Sequence, residues 1–348
     1  MLAALLLGGL FAAPIATIAL FLPAPRLGGV AGAWPSIRRT LLALIFTAVV
    51  TAITVGCLLG IGVTRRNVIA SAIGLIAVNL LWLPITRCWS ARAHVCWSST
   101  TYLFAAYLVF MIEWTFTTHL GVAGTAGGVV LWLLEAFAAV LGCAYLWELC
   151  DAIGREKWLR RVSGRGPDVR AEGPLPFVSL HVPSHYEPPE MVIATLQSLK
   201  ALDYPNFEII AIDDNTEDES LWRPVESWCH DNGVKFAHLE NWPGYKSGAL
   251  NYALRNITDE RTELIGVIDA DYQLDPQFLR RCAPLFDDPK VGFIQAPQDY
   301  RDWENAPFYR RLYYSYLYFF AVSQPSRNER DGAIFAGTMG LIRRSALE

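Results

Sequence analysis

Glu263-Leu-Ile-Gly-Val-Ile-Asp269-Ala-Asp271-Tyr-Gln-Leu-Asp275 is an apolar run that stops abruptly at two acids one residue apart. Its apolar part, Leu264 to Ile268, is short, mostly β-branched or aliphatic and without helical periodicity, which predicts a buried sheet strand. Asp269 and Asp271 then stand at the open end of that strand, where two carboxylates can converge on a divalent cation and on the nucleotide it carries. Hard cations such as Mg²⁺ or Mn²⁺ take carboxylate oxygens and share their shell with substrate phosphates. An Asp-x-Asp at a strand end is also an ordinary solvated turn, so the rest of the chain has to decide.

Around this strand the second half of the chain alternates. Strands are predicted at Phe177–Val182, Phe207–Ile212, Val234–Leu239 and Val291–Gln295. Helices are predicted over Pro189–Leu202, Trp222–Trp228, Lys246–Arg255 and Pro276–Phe286. Such alternation predicts a mostly parallel, Rossmann-like sheet with helices on both faces, and ligands of such sheets bind beyond the carboxyl ends of the strands. The conspicuous polar residues fall at those ends. Ser184-His185-Tyr186-Glu187 follows the first strand and Asp213-Asp214 the second. Clustered carboxylates repel one another unless a cation or hydrogen-bond donors compensate them. Gly244-Tyr-Lys246-Ser-Gly248-Ala-Leu-Asn251 opens a helix with a lysine and two glycines, a combination suited to a diphosphate. It lacks the spacing of a Walker A loop, and no Gly-x-Gly-x-x-Gly follows the first strand.

The first half has a different composition. The 348 residues are 53% hydrophobic with a mean hydropathy of +0.27, and the long apolar stretches all precede Asp151. They are Leu2–Leu22, Thr40–Val63, Val68–Leu83, Thr100–Thr118 and Ala126–Leu149, about five membrane spans, with Val68–Leu83 the shortest. Arg26, Arg38, Arg39, Arg87, Arg92 and the basic segment after Leu149 fall on one side, and Arg65 and Arg66 on the other. That asymmetry predicts an inner-membrane protein whose second half is cytoplasmic. A four-span arrangement would move only the N-terminus. The expected division is 1–150 as transmembrane helices, 151–175 as a basic interfacial linker, and 176–348 as the α/β domain. Glu113 and Glu135 within spans are read as carboxyls facing the bundle interior. Phe308–Phe320 is dense in aromatics and reads equally as a membrane-interface helix, an acceptor-groove wall or a core helix. Arg327-Asn-Glu329-Arg-Asp331 reads as a solvated loop. Seven scattered cysteines without a Cys-x-x-Cys pair argue against a zinc site or a disulfide framework. A formal charge of −4 gives no sign of nucleic-acid binding.

The ordered motifs Val182-Pro-Ser-His-Tyr-Glu-Pro188, Ile212-Asp-Asp-Asn-Thr216, Gly244 to Asn251, Ile268-Asp-Ala-Asp271 and Phe335-Ala-Gly-Thr338 resemble the membrane-bound family-2 inverting glycosyltransferases. These are the cellulose synthase, hyaluronan synthase and bacterial β-glucan synthase group, with a GT-A catalytic fold. The resemblance covers Pro176 to the end. It implies transfer of a sugar, with glucose the first choice, from a UDP-sugar to a growing β-glycan, with Mg²⁺ or Mn²⁺ as cofactor and a glycan acceptor and the lipid bilayer as partners. It further implies that His185, Glu187 and Asp213 or Asp214 hold the uridine, that Lys246 meets the diphosphate and that Asp269 contacts the nucleotide. Asp271 would ligate the metal with Asp269, and Gly337 and Thr338 would lie on the acceptor side. The family's general base lies in a later Thr-Glu-Asp motif and is followed by Gln-x-x-Arg-Trp, so both are expected beyond Glu348. On that reading the chain is the donor-binding part of a synthase. The alternative is a non-catalytic membrane subunit that binds a nucleotide or a partner synthase.

Overall fold

The computed structural model of the protein describes residues 1–22, 35–156, 158, 175–301 and 303–347. Two compact units emerge, Met1–Arg160 with Tyr314–Gly332, and Arg161–Tyr313 with Ala333–Glu348.

The first unit contains helices α1 (Leu2–Phe21), α2 (Pro35–Gly60), α3 (Arg65–Trp82), α4 (Ala91–Thr117) and α5 (Gly121–Gly154). All but α3 are long and apolar enough to cross a membrane, and α3 covers all but the last residue of the shortest expected span. The helices outrun the hydropathy signal at their polar ends. α4 begins at Ala91 rather than Thr100, because polar residues of its first turns are buried and bonded. His94 Nδ1 lies 2.7 Å from Thr86 Oγ1, and Ser98 donates to the His94 carbonyl at 2.8 Å. Glu113 is exposed rather than turned inward, whereas one carboxylate oxygen of Glu135 is buried.

The stretch Arg327–Asp331 is not a solvated loop. Asp151, fully buried at the end of α5, accepts hydrogen bonds from Trp89 Nε1 at 2.5 Å, Arg155 Nε at 2.8 Å, Ser326 Oγ at 3.0 Å and Arg330 Nη2 at 2.8 Å. Glu329 pairs with Arg155 at 3.1 Å, and Arg327 with Glu148 at 2.7 Å. Buried charges persist only when paired, and these pairings explain why 314–332 groups with the helices. Most of the basic linker read over 151–175 lies outside the described residues.

In the second unit the chain runs β1 (Val178–Ser184), α6 (Pro189–Lys200), β2 (Phe207–Asp214), α7 (Glu219–Asn232), β3 (Lys235–Leu239), α8 (Tyr245–Asn256), β4 (Leu264–Val267), α9 (Phe278–Cys282) and β5 (Phe293–Gln295). Helices α10 (Pro307–Tyr318) and α11 (Gln324–Asn328) follow in the chain, α11 within the first unit, and β6 (Gly340–Arg343) then returns to the second. The boundary between the units falls within α10, which has no buried residue, so the core-helix reading of its aromatics is not met. One sheet of six strands has the order β3-β2-β1-β4-β6-β5. β1 pairs in parallel with β2 and β4, and β2 with β3, whereas β6 is antiparallel to both neighbours. The sheet is therefore mostly parallel, and β6 is the strand that sequence reasoning missed.

Its central strands are buried on both faces, as their near-continuous apolar runs require. α6 starts on Pro189, which suits a first helical position, and buries Val192, Thr195, Leu196 and Leu199 at helical spacing. α7 is capped by Asp218, which accepts from Ser220 N at 2.9 Å, and ends on Gly233 at φ 67°. Gly266 lets β4 pass its neighbours, since a Cβ there would stand 2.5 Å from Leu180 Cδ2. Register aligns Ser184 with Asp213 and Asp213 with His238, so three strand ends share one edge.

Candidate donor-binding site

The strand order reverses between the parallel neighbours β1 and β4, and ligands of open α/β sheets bind at such a switch point, beyond the carboxyl ends of the strands. The sequence-singled residues sit around it. His185-Tyr186-Glu187 leaves β1, Asp213-Asp214 ends β2, Lys246 lies in the first turn of α8, and Asp269 and Asp271 leave β4. Gly337 and Thr338 precede β6.

Lys246 joins two of these groups. Its ammonium donates to the Asp269 carboxylate and, at 2.9 Å, to the Gly337 carbonyl. α8 can place it there because Gly244, at φ 95°, turns the chain and Gly248 lies against the loop before it. A Cβ on Gly248 would meet the Pro243 carbonyl oxygen at 2.0 Å. Thr338 is buried, and its Oγ1 accepts the Asp269 backbone N–H at 2.8 Å. Gln295, on β5, donates to the Thr338 carbonyl at 2.9 Å and accepts from Ala336 N at 2.7 Å. The segment 336–338 is thus fastened directly to Lys246 and Asp269.

The two acids of β2 differ. Asp213 is surrounded by protein donors. Thr216 Oγ1 reaches Oδ1 at 2.7 Å, while Thr216 N at 3.2 Å and His238 Nδ1 at 2.8 Å reach Oδ2. His238 is held in turn by Trp222, whose ring stacks on it at 4.1 Å between centroids. Asp214 receives one side-chain bond, from Asn215 Nδ2 at 2.9 Å on Oδ1. Burial raises the Asp214 carboxyl above its ordinary range, partly offset by His185 and reinforced by Asp213. The His185 ring donates from Nδ1 to the Asp214 carbonyl, and Glu187 accepts the His185 backbone N–H. Burial also raises the Glu187 carboxyl, and that N–H bond opposes the rise. Sequence reasoning missed His238 and Trp222, and had Thr216 only as the last residue of the Ile212–Thr216 motif.

Asp271 is exposed, and among the described residues its carboxylate makes no hydrogen bond or ion pair. Nor do three His, Cys, Asp or Glu side chains among the described residues converge to hold a metal unaided. Asp269 and Asp271 therefore offer a partial, all-oxygen shell. That suits a cation which completes its coordination with phosphate oxygens and water.

Residues 179–348 match the model of the family described as glycosyl transferase family 2. The match covers the α/β region and none of helices α1–α5. "Probable glucomannan 4-beta-mannosyltransferase 4" of Oryza sativa subsp. japonica is 29% identical over 187 residues, 51% of this chain and 34% of that protein. "Glucomannan 4-beta-mannosyltransferase 1" of Cyamopsis tetragonoloba is 29% identical over 181 residues, 50% of this chain and 34% of that protein. The match thus spans about a third of the length of these relatives. Among solved structures, mannosyltransferase PcManGT from Pyrobaculum calidifontis, in complex with GDP-Man and Mn2+, covers 61% of this chain and 56% of its own. It does so at 24% identity and a TM-score of 0.42.

Proposed function

We propose that the protein is a membrane-bound inverting hexosyltransferase that takes a nucleotide sugar at the β1–β4 switch point and extends a β-linked glycan. The observation that carries this reading is the meeting of Lys246, from α8, with Asp269, at the end of β4, within the residues that match the family-2 model. The names of the curated relatives support mannose as the sugar, in place of the glucose suggested by the sequence resemblance. The unequal charge of the basic loops supports a cytoplasmic position for the domain.

Each residue has a role that follows from its partners. Asp214, with a buried carboxyl less occupied than that of Asp213, faces the nucleoside together with His185. Asp213 is a positioning residue, because Thr216 and His238 already use both of its oxygens. Glu187 holds the backbone of His185 in the same loop. Lys246 lies where the diphosphate arrives and exchanges part of its bonding to Asp269 for phosphate oxygens. Asp269 and Asp271 would hold Mg²⁺ or Mn²⁺, which when bound neutralises charge on the departing diphosphate. Gly337 and Thr338 keep Lys246 and Asp269 in place and border the acceptor side. None of Asp213, Asp214, Asp269 or Asp271 is assigned as the general base, since each is engaged in nucleoside, cation or loop contacts.

The test is transfer itself. Membranes expressing the native gene are incubated with radiolabelled GDP-mannose or UDP-glucose and a divalent cation. Mannose should enter a polymer that β-mannanase digests, and chelator should abolish this. Nucleotide binding without incorporation from either donor would favour the non-catalytic subunit instead.

A further inference from the structure

Among the described residues of the α/β unit, five other than glycine have positive φ: Tyr186, Asn215, Asn241, Tyr245 and Met339. All lie at the edge where β1, β2, β3 and β4 end. Three follow β1, β2 and β3, Tyr245 opens α8, and Met339 precedes the antiparallel β6. Backbone strain of this kind persists where surrounding contacts over-determine it, and it clusters at ligand sites.

For four of the five, the protein supplies a reason. Asn215 and Asn241 are of the residue type that tolerates this conformation, and Asn215 also exchanges two bonds with the Trp242 backbone at 2.7 and 2.8 Å. Tyr186 N–H donates to Thr216 Oγ1 at 3.0 Å, and its hydroxyl accepts from Glu217 N at 3.3 Å. Met339 is buried, and its carbonyl accepts from Ala296 N at 2.9 Å. Tyr245 differs. It has φ 51° and is 83% exposed, and its side chain forms no hydrogen bond or ring contact among the described residues. An aromatic ring stands in water on a strained backbone, next to Lys246.

We propose that Tyr245 is a donor-contacting residue, whose ring packs on a flat face of the nucleotide sugar once its diphosphate lies at Lys246. This rests on the donor site proposed above. The place of Tyr245 at the start of α8, one residue before Lys246, sets it beside the group that would meet the diphosphate.

The full 348-residue chain in detergent is titrated with GDP, UDP, GDP-mannose and UDP-glucose in the presence of Mn²⁺. Wild type is compared with Tyr245→Gly, Tyr245→Phe and Lys246→Ala. Tyr245→Gly should weaken binding of the best ligand by roughly 3–10-fold, the effect of one aromatic contact. Tyr245→Phe should bind like wild type. The melting temperature of Tyr245→Gly should be unchanged or higher, because glycine adopts φ 51° without strain. Wild-type affinity in Tyr245→Gly, or a fall in its melting temperature that accompanies the loss of binding, would overturn the assignment. Wild-type protein that binds none of the four ligands overturns the donor-site reading itself, and with it this one. Loss in Lys246→Ala but not in Tyr245→Gly removes the tyrosine's role alone.

Discussion

Thr338 grips Asp269 by its backbone. Its buried hydroxyl oxygen accepts the Asp269 N–H at 2.8 Å, while Lys246 holds the carboxylate of the same aspartate. The end of β4 is therefore fixed from the segment before β6 and from α8 at once. Pre-organisation of this kind lowers the ordering cost when a ligand binds.

Thr338→Val keeps the shape and removes the acceptor, which leaves the Asp269 N–H without its partner. An unsatisfied buried donor costs about 1–3 kcal/mol. Urea unfolding of the variant should show that loss, and nucleotide affinity should fall with it. Thr338→Ser should restore both. A valine variant as stable as wild type would mean that water replaces the hydroxyl.

Asp151 is the second point of concentrated bonding, inside the helical unit. Replacing it with leucine strands Arg155 and Arg330 beside an apolar side chain. Breaking a buried pair by removing one partner typically costs about 3–5 kcal/mol. The variant in detergent should melt well below wild type and become sensitive to protease within 314–332. Unchanged melting would show that the cations find water instead.

His181 provides a pH signature. It is buried in β1, faces Ser179 Oγ at 3.1 Å and Thr258 Oγ1 at 3.0 Å, and burial pushes its imidazole down to about 4. The unfolded chain takes up the proton near the ordinary 6.5, so it binds more protons than the fold between 6.5 and 4. Stability is fully present above pH 6.5, falls as pH drops through that window, and levels off below it. At 1.36 kcal/mol per pH unit the whole loss is on the order of 3 kcal/mol. Melting curves from pH 7.5 to 4.5 should show a slope that His181→Gln reduces. Identical slopes for both proteins would rule the histidine out.

These relationships differ in how far the sequence revealed them. β4 and α6 were legible because burial writes itself into contiguous residues, as an unbroken apolar run in one and a helical spacing in the other. The strand ends carrying Asp213 and Asp269, and the helix start carrying Lys246, followed from the same reading. β6 was not legible, since Gly340-Leu-Ile-Arg343 is too short to signal a strand without its partners β4 and β5. The charged run 327–331 misled because its partners Glu148 and Asp151 stand 179 positions away from Arg327 and Arg330. Composition alone makes such a run look solvated. Likewise, nothing local separates Asp213 from Asp214. The difference is made by His238, which arrives on β3.

Topology is testable without activity. Single cysteines introduced after Asp151 should be protected from an impermeant thiol reagent in intact cells, and one beside Arg65 should react. The reverse pattern would contradict the orientation drawn from the loop charges.

The central claim is that the carboxyl edge of this sheet holds a nucleoside diphosphate through a cation shared by Asp269 and Asp271. Calorimetric titration of the 348-residue chain with GDP and UDP, with Mn²⁺ and with chelator, tests it most directly. The account predicts binding that is markedly tighter with Mn²⁺, and an Asp271→Asn variant that retains weak binding but loses most of the difference between the two conditions. Nucleotide binding that is equal with metal and with chelator, and unchanged in Asp271→Asn, would contradict it.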